Sequence, residues 1–189
     1  MSIINHESFN KYDKEIVEYG LIMLYSTIVK LVIVVLLALS FGVLKEIALC
    51  AFVFGLLRSF AGGFHAKTSL GCLISMNIVY FSVYLLSSIL PYSIYLYWIS
   101  LIFCLVTIIA YAPADTAEKP ITNLRQIRIM KLSSILVLLS MFYLAYFYFT
   151  EITKNIIILS CIFECATILP FMYTITKSKR GDQYYEILE

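Results

Sequence analysis

His65 and Cys72 are the side chains in this sequence whose types and spacing could do chemistry. They lie seven residues apart in Arg58-Ser-Phe-Ala-Gly-Gly-Phe-His65-Ala-Lys-Thr-Ser-Leu-Gly-Cys72. The chain has two histidines, and the other, His6, sits in a polar leader. An imidazole held against a thiol gives a thiolate–imidazolium pair, a nucleophile for carbonyl carbon. At the edge of a membrane, such a pair suggests acyl chemistry on a peptide.

The spacing dictates what else is needed. In an unbroken helix, residues seven apart share nearly one face but are separated by about 10.5 Å of rise. A direct contact therefore requires a break between them, or a partner from another subunit. Gly62 and Gly63 precede His65 and tolerate positive φ. Thr68 and Ser69 both suit the N-cap of a helix that opens with Leu70. With Ser69 as cap, Cys72 takes the third helical position, where the positive end of the helix dipole favours thiolate; Lys67 adds charge. Cys72 is then the nucleophile. His65 takes its proton and later gives it to a leaving amine. Amides at the start of the helix could hold an oxyanion.

Arg58 falls at or just inside the membrane interface, where a guanidinium is costly unless paired or functional. It could bind a substrate carboxylate or hold part of the site in place; Lys67 and Gly63 belong to the same binding or ordering group. Each residue alone has a plainer reading. Cys72 could simply pack, His65 could snorkel, and Arg58 and Lys67 could be positive anchors. Their combination at a double glycine favours a site. No Asp or Asn stands close by to orient the imidazole, and Glu46 and Asp115 are the acids left to consider.

Other chemistries are poorly supported. No His-Glu-x-x-His occurs, and no glycine-rich phosphate loop. Cys50, Cys104, Cys161 and Cys165 fall in apolar runs, as small buried hydrophobes do. No metal and no cofactor is assigned. A net charge of +2, without a basic cluster among stacking aromatics, gives no reason to expect nucleic acid.

The elements that must carry the site are membrane helices. Hydrophobic residues make up 61% of the 189-residue chain and charged residues 14%. Soluble domains have about 45–50% and about 25%. The sequence therefore reads as an all-α integral membrane protein, with about six transmembrane helices and an N-terminal interfacial amphipathic helix. No signal peptide is evident. Phe9, Tyr12, Ile16 and Tyr19 recur at helical spacing in residues 1–20, opposite most of the charges. Candidate spans are 21–44, 47–60, 70–90, 93–112, 132–150 and 156–173, the second of them short. Residues 1–189 form one membrane-embedded domain, with 1–20 interfacial, 21–175 in the membrane and 176–189 a tail. Pro113 and Pro120 interrupt any helix between the fourth and fifth spans. Lys30 and Glu164 lie in apolar runs and need partners, either each other or backbone groups.

Six crossings with a cytoplasmic N-terminus put eleven lysines and arginines inside and two, Lys45 and Lys154, outside. That bias places both termini in the cytoplasm and turns His65 toward it.

The pattern Arg58-x4-Gly63-x-His65-Ala-Lys67-x4-Cys72 resembles the signature of the accessory gene regulator B (AgrB) family. Tyr111-Ala-Pro-Ala followed by Lys119-Pro120, and the opening Glu18-Tyr-Gly20-Leu, resemble further landmarks, so the likeness covers nearly the whole chain. It implies a membrane cysteine endopeptidase of the cell membrane, with Cys72 as nucleophile, His65 as its base and Arg58 as a required arginine. It also implies the reaction: the C-terminal tail of a signalling-peptide precursor (AgrD-like) is removed through an acyl-enzyme. An internal cysteine or serine then closes a thiolactone or lactone used in quorum sensing. The implied partners are that precursor and the lipid bilayer, with room for a homodimer. The alternative is a membrane peptide-binding exporter or assembly factor without peptidase activity.

Overall fold

The computed structural model describes residues 11–64, 68–115 and 123–176. Seven helices occur among them: α1 (Lys11–Ser40), α2 (Leu44–Ala61), α3 (Ser69–Ile89), α4 (Ile94–Tyr111), α5 (Leu124–Tyr148), α6 (Glu151–Ile168) and α7 (Pro170–Thr176). No β-strand occurs among the described residues, which agrees with the all-α expectation. The chain divides into two compact units, Met1–Gly42 and Val43–Glu189.

The first unit is built on α1. This helix runs unbroken from Lys11 through the apolar stretch that ends at Ser40. From Lys11 onward, the expected interfacial helix and first span are therefore one element. Nothing between Lys11 and Leu21 breaks a helix, and Gly20 is tolerated within it. Residues 1–10 lie outside the described part. The chain leaves α1 through Gly42 at φ 70°.

In the second unit, α2 to α5 run up and down around α6. Asn155 to Cys161 are buried without interruption, so every face of this part of α6 is covered. A helix apolar all round belongs in the interior. α2, α3, α4 and α5 pack against it. Leu57, Cys104, Ile108, Leu138, Phe142, Ile158 and Cys161 are fully buried in the shared core.

Four helical segments are long and apolar enough to cross a bilayer: Gly20–Ser40 of α1, Ser69–Ile89, Ile94–Tyr111 and Leu124–Tyr148. α6 and α7 make a fifth if taken as one span bent by 70°. The count is thus four or five by length and composition, against six expected. α2 falls short because its 18 residues carry Lys45, Glu46 and Arg58. The bend between α6 and α7 comes from Pro170. Proline lacks an N–H and pushes the residue before it out of the helical region, and Leu169 has ψ 140°.

Candidate active site

Arg58, Gly63 and Cys72 come together where α2 ends and α3 begins, although the chain between these helices is short. The first cause is the exit from α2. Gly62 caps that helix at φ 78° and ψ −147°, a region essentially reserved for glycine. Its N–H donates to the Arg58 carbonyl at 2.9 Å. Gly63 follows at φ 133°. The two glycines lay the chain flat against the end of α4. The Ala114 N–H donates to the Ala61 carbonyl at 2.8 Å, and the Gly63 N–H to the Ala114 carbonyl at 2.9 Å. A Cβ on Gly62 would run into that Ala114 carbonyl. Ala114 belongs to Tyr111-Ala-Pro-Ala, whose Ala112–Pro113 bond is cis. The landmark's role here is to offer its backbone to the double glycine.

The second cause is Arg58. Its Nη2 donates to the carbonyl of Phe64, the residue before His65. Its Nη1 lies 3.3 Å from Glu164 Oε2 and 3.3 Å from Thr167 Oγ1, both on α6. Thr167 also accepts from the Phe64 N–H through its carbonyl at 3.4 Å. Phe64 is therefore held at both its N–H and its C=O. Gly63 is closely enclosed as well: a Cβ there would stand 2.6 Å from Thr167 Oγ1 and 3.0 Å from Arg58 Nη1. Glycine at 63 is thus required twice over, by its φ and by its neighbours.

Glu164 is fully buried and Arg58 about a quarter exposed. The buried acid finds its partner on α2, which resolves the question the sequence left open between Lys30 and backbone groups. The guanidinium does not grip a carboxylate through two parallel bonds. It divides its fork between Glu164 and the Phe64 carbonyl. The second carboxylate oxygen, Glu164 Oε1, is buried without a partner among the described residues.

On the other side of the break, Thr68 caps α3. Its Oγ1 accepts from the Gly71 N–H at 3.0 Å, and its carbonyl accepts from the Cys72 N–H at 3.0 Å. The cap is thus Thr68 rather than Ser69, and Cys72 takes the fourth helical position, not the third. Either hydroxyl can cap; Thr68 has the extended backbone of a cap residue, φ −121° and ψ 147°, and Ser69 is already helical. Two consequences follow. Cys72 sits at the far edge of the first turn, where the dipole's effect fades. The Gly71 and Cys72 amides are engaged, so they are not spare oxyanion donors.

Cys72 is a free, half-buried thiol, 3.9 Å from Met76 Sδ. It shares the wall of a cavity of about 250 Å³ with Phe64, Arg58 and Thr167. His65 and Lys67 lie outside the described residues. Their chain neighbours Phe64 and Thr68 are the two positions that Arg58 and the α3 cap hold in place. Glu46 is in the first turn of α2, twelve residues from Arg58, or about 18 Å of helix rise from the site. Asp115 adjoins Ala114 at the site's end of the bundle, where its carbonyl accepts from Tyr173 Oη at 3.4 Å. Among the described residues, no group of three or more His, Cys, Asp or Glu side chains could hold a metal ion.

Glu164, Thr167 and Ala114 were not assigned to the site from sequence. Glu164 carried a signal, being an acid in an apolar run. Ala114 was visible only within the landmark, and Thr167 gave none.

The sequence model of the family described as Accessory gene regulator B matches residues 1–168. An AgrB-like protein of Clostridium acetobutylicum is 30% identical over 167 residues, covering 88% of this chain and 79% of the relative. A second AgrB-like protein, from Clostridium perfringens, is 27% identical over 138 residues, or 69% of this chain and 64% of the relative. Protein FsrB of Enterococcus faecalis is 28% identical over 106 residues, 55% of this chain and 44% of its own length. No solved structure matches.

Proposed function

This chain belongs to the accessory gene regulator B family, and from that premise we propose that it is a membrane cysteine endopeptidase and cyclase acting on a signalling-peptide precursor in quorum sensing. The observation that carries the reading is the shared cavity wall of Cys72 and Phe64. The residue after Phe64 is His65. A nucleophile and the anchor of its base thus meet on one surface, each fixed by its own device.

The chemistry balances within this set of groups. The Cys72 thiol gives its proton to His65, and the thiolate attacks the scissile carbonyl. The carbon–nitrogen bond breaks, and the imidazolium protonates the leaving amine of the tail. A thioester to Cys72 remains. A cysteine or serine inside the retained peptide loses its proton to His65 and attacks that thioester. Cys72 is released, and a thiolactone or lactone forms. The thioester conserves the acyl energy that a direct hydrolysis would dissipate.

Arg58 and Glu164 act as positioning residues in this scheme, and Gly63 with them. They fix Phe64 and hence the point from which His65 departs. Lys67 supplies positive charge next to α3. The catalytic roles of Cys72 and His65 are tested in one assay. The purified protein in lipid vesicles is mixed with a candidate precursor peptide, and mass spectrometry follows the released tail and the cyclic product. Tail release that continues in Cys72→Ala would falsify the assignment.

The site end of the bundle faces the cytoplasm in this reading. The protein is multi-pass, with α2 crossing beside α6 and its charges at its two ends.

A further inference from the structure

At the end of the bundle opposite Cys72, α4 and α5 enclose a groove of about 490 Å³. Tyr97 and Phe142 are buried and form its floor, with ring centroids 5.3 Å apart. The Tyr97 hydroxyl already donates to the Phe142 carbonyl at 3.2 Å. Trp98 of α4 and Leu139, Tyr143 and Phe147 of α5 are exposed and form the walls. From Leu139 to Phe147 the helix rises about 12 Å. That length fits within one leaflet, about half of a hydrocarbon core of roughly 30 Å. Both helices are long and apolar enough to cross a bilayer, so the groove opens on lipid. The mouth is more polar than the walls. Tyr146 lines the groove there, and the Tyr92 phenol lies within electrostatic range of it. Lys154, in the first turn of α6, holds its Nζ 4.9 Å from the centre of the Tyr92 ring. Among the described residues the one ion pair is Arg58–Glu164, so Lys154 has no acid against it. Glu151, in the same turn, is also within range of Tyr92.

We infer that this groove binds one acyl chain of a phospholipid, whose phosphate sits at Lys154 beside Tyr92 and Tyr146. The dimensions select the chain. Packed helices stand about 8–10 Å apart, and a helix with its side chains is about 10–12 Å across. A helix could lie over the space between two neighbours but not enter it, whereas a single hydrocarbon chain enters. The cation selects the head. An ammonium at the membrane surface attracts an anionic headgroup, and a phosphodiester supplies one negative charge. Phenol hydroxyls such as those of Tyr92 and Tyr146 donate to its oxygens. Glu151 disfavours headgroups that carry a second negative charge. The inference is independent of the peptidase reading, because the groove lies at the other end of the bundle.

Trp98 is the chain's only tryptophan, so its fluorescence reports on the groove. The full chain in detergent is titrated with phosphatidylglycerol carrying brominated acyl chains, which quench an indole on contact. Quenching should saturate at one lipid per protein. Brominated diacylglycerol has the same chains without phosphate and should bind about fivefold more weakly. Glycerol phosphate, which has no chain, should not compete. Lys154→Gln should bring phosphatidylglycerol down to the level of diacylglycerol, and Lys154→Arg should keep the difference. Leu139→Phe narrows the groove and should weaken both lipids, whereas Leu139→Met, of similar volume, should not. Quenching that rises without saturation and equally for both lipids overturns the site. Displacement by glycerol phosphate alone overturns it too. So does a Trp98 that stays unquenched in a dimer detected by light scattering, since a second copy then covers the groove.

Discussion

Glu164 Oε2 lies 3.3 Å from Arg58 Nη1, a contact between residues 106 positions apart in the chain. It joins the C-terminal parts of α2 and α6, and the other terminal nitrogen of the same guanidinium holds Phe64. Lysine could neutralise the acid but lacks the planar fork that serves the carboxylate and the carbonyl together. Arg58→Lys should therefore insert normally and lose most tail release, with the loss in kcat rather than in KM. Because the arginine is turned to protein groups, the variant should stay sensitive to truncation of acidic residues from the precursor tail. Insensitivity would mean that Arg58 binds the tail directly.

The energetics of that pair give a separate expectation. Removing one partner of a buried pair costs roughly 3–5 kcal/mol, and the partial exposure of Arg58 argues for the low end. Arg58→Met alone leaves a fully buried carboxylate without its cation. Arg58→Met with Glu164→Met removes both charges and should regain most of the lost thermal stability in detergent. Activity should not return, because Phe64 still lacks its donor. Recovery of tail release in the double variant would assign the pair a purely structural role.

Cys72→Ala should reduce tail release to background, and His65→Ala should lower it by about 10²–10⁴-fold. Cys104 and Cys161 are fully buried away from the cavity wall. Cys104→Ala and Cys161→Ala should stay within about twofold of wild type, each losing a small packing contribution. Cys72→Ser should also be severely impaired, since an alkoxide is far harder to form than a thiolate. A serine variant with near-normal kcat, read from single-turnover tail release, would contradict thiolate attack.

Gly63→Ala puts a methyl group against Thr167 Oγ1 and Arg58 Nη1 at a φ of 133°. Strained backbone of this kind costs about 1–3 kcal/mol. The variant should lose activity more than stability, since what it displaces is the Arg58–Phe64 contact. Adding Thr167→Ala removes the closest clash and should restore part of the rate, but not all, because the backbone strain remains. Full activity in Gly63→Ala alone would show that this approach is not needed.

The helical class, the break at the double glycine and the capped start of α3 were legible from residue types, because each rests on local backbone physics. The cap itself was misplaced by one residue, from Ser69 to Thr68, since both hydroxyls satisfy the local rule. Arg58 and Glu164 were each legible as a costly charge, but not as a pair. Sequence gives charge and depth, not which helices are neighbours. Ala114 contributes only its backbone N–H and C=O, which every non-proline residue has. Its side chain therefore carries no signal beyond being small. The bend at Pro170 was lost for another reason: the apolar run continues past it, and hydropathy does not register a missing N–H.

The end of the bundle that carries the site should face the cytoplasm. Gly63 bonds to Ala114 and Phe64 to Thr167, so the ends of α2, α4 and α6 lie together with the start of α3. At the opposite end, Asn155 of α6 donates to Leu90 after α3 at 2.7 Å, and Tyr97 of α4 donates to the Phe142 carbonyl of α5 at 3.2 Å. The basic residues divide along the same line. Arg58, Lys67, Lys119, Arg125, Arg128 and Lys131 fall in or beside the connections at the site end, and Lys177, Lys179 and Arg180 follow α7; Lys45 and Lys154 fall at the other. Such a bias orients membrane helices with the basic side inward. In a cysteine-free background, Thr150→Cys should react with an impermeant thiol reagent in intact cells. Thr116→Cys and Ser178→Cys should react only after permeabilisation. Labelling of either of the latter in intact cells would invert the topology and place the thioester chemistry on the outer face, away from newly made precursor.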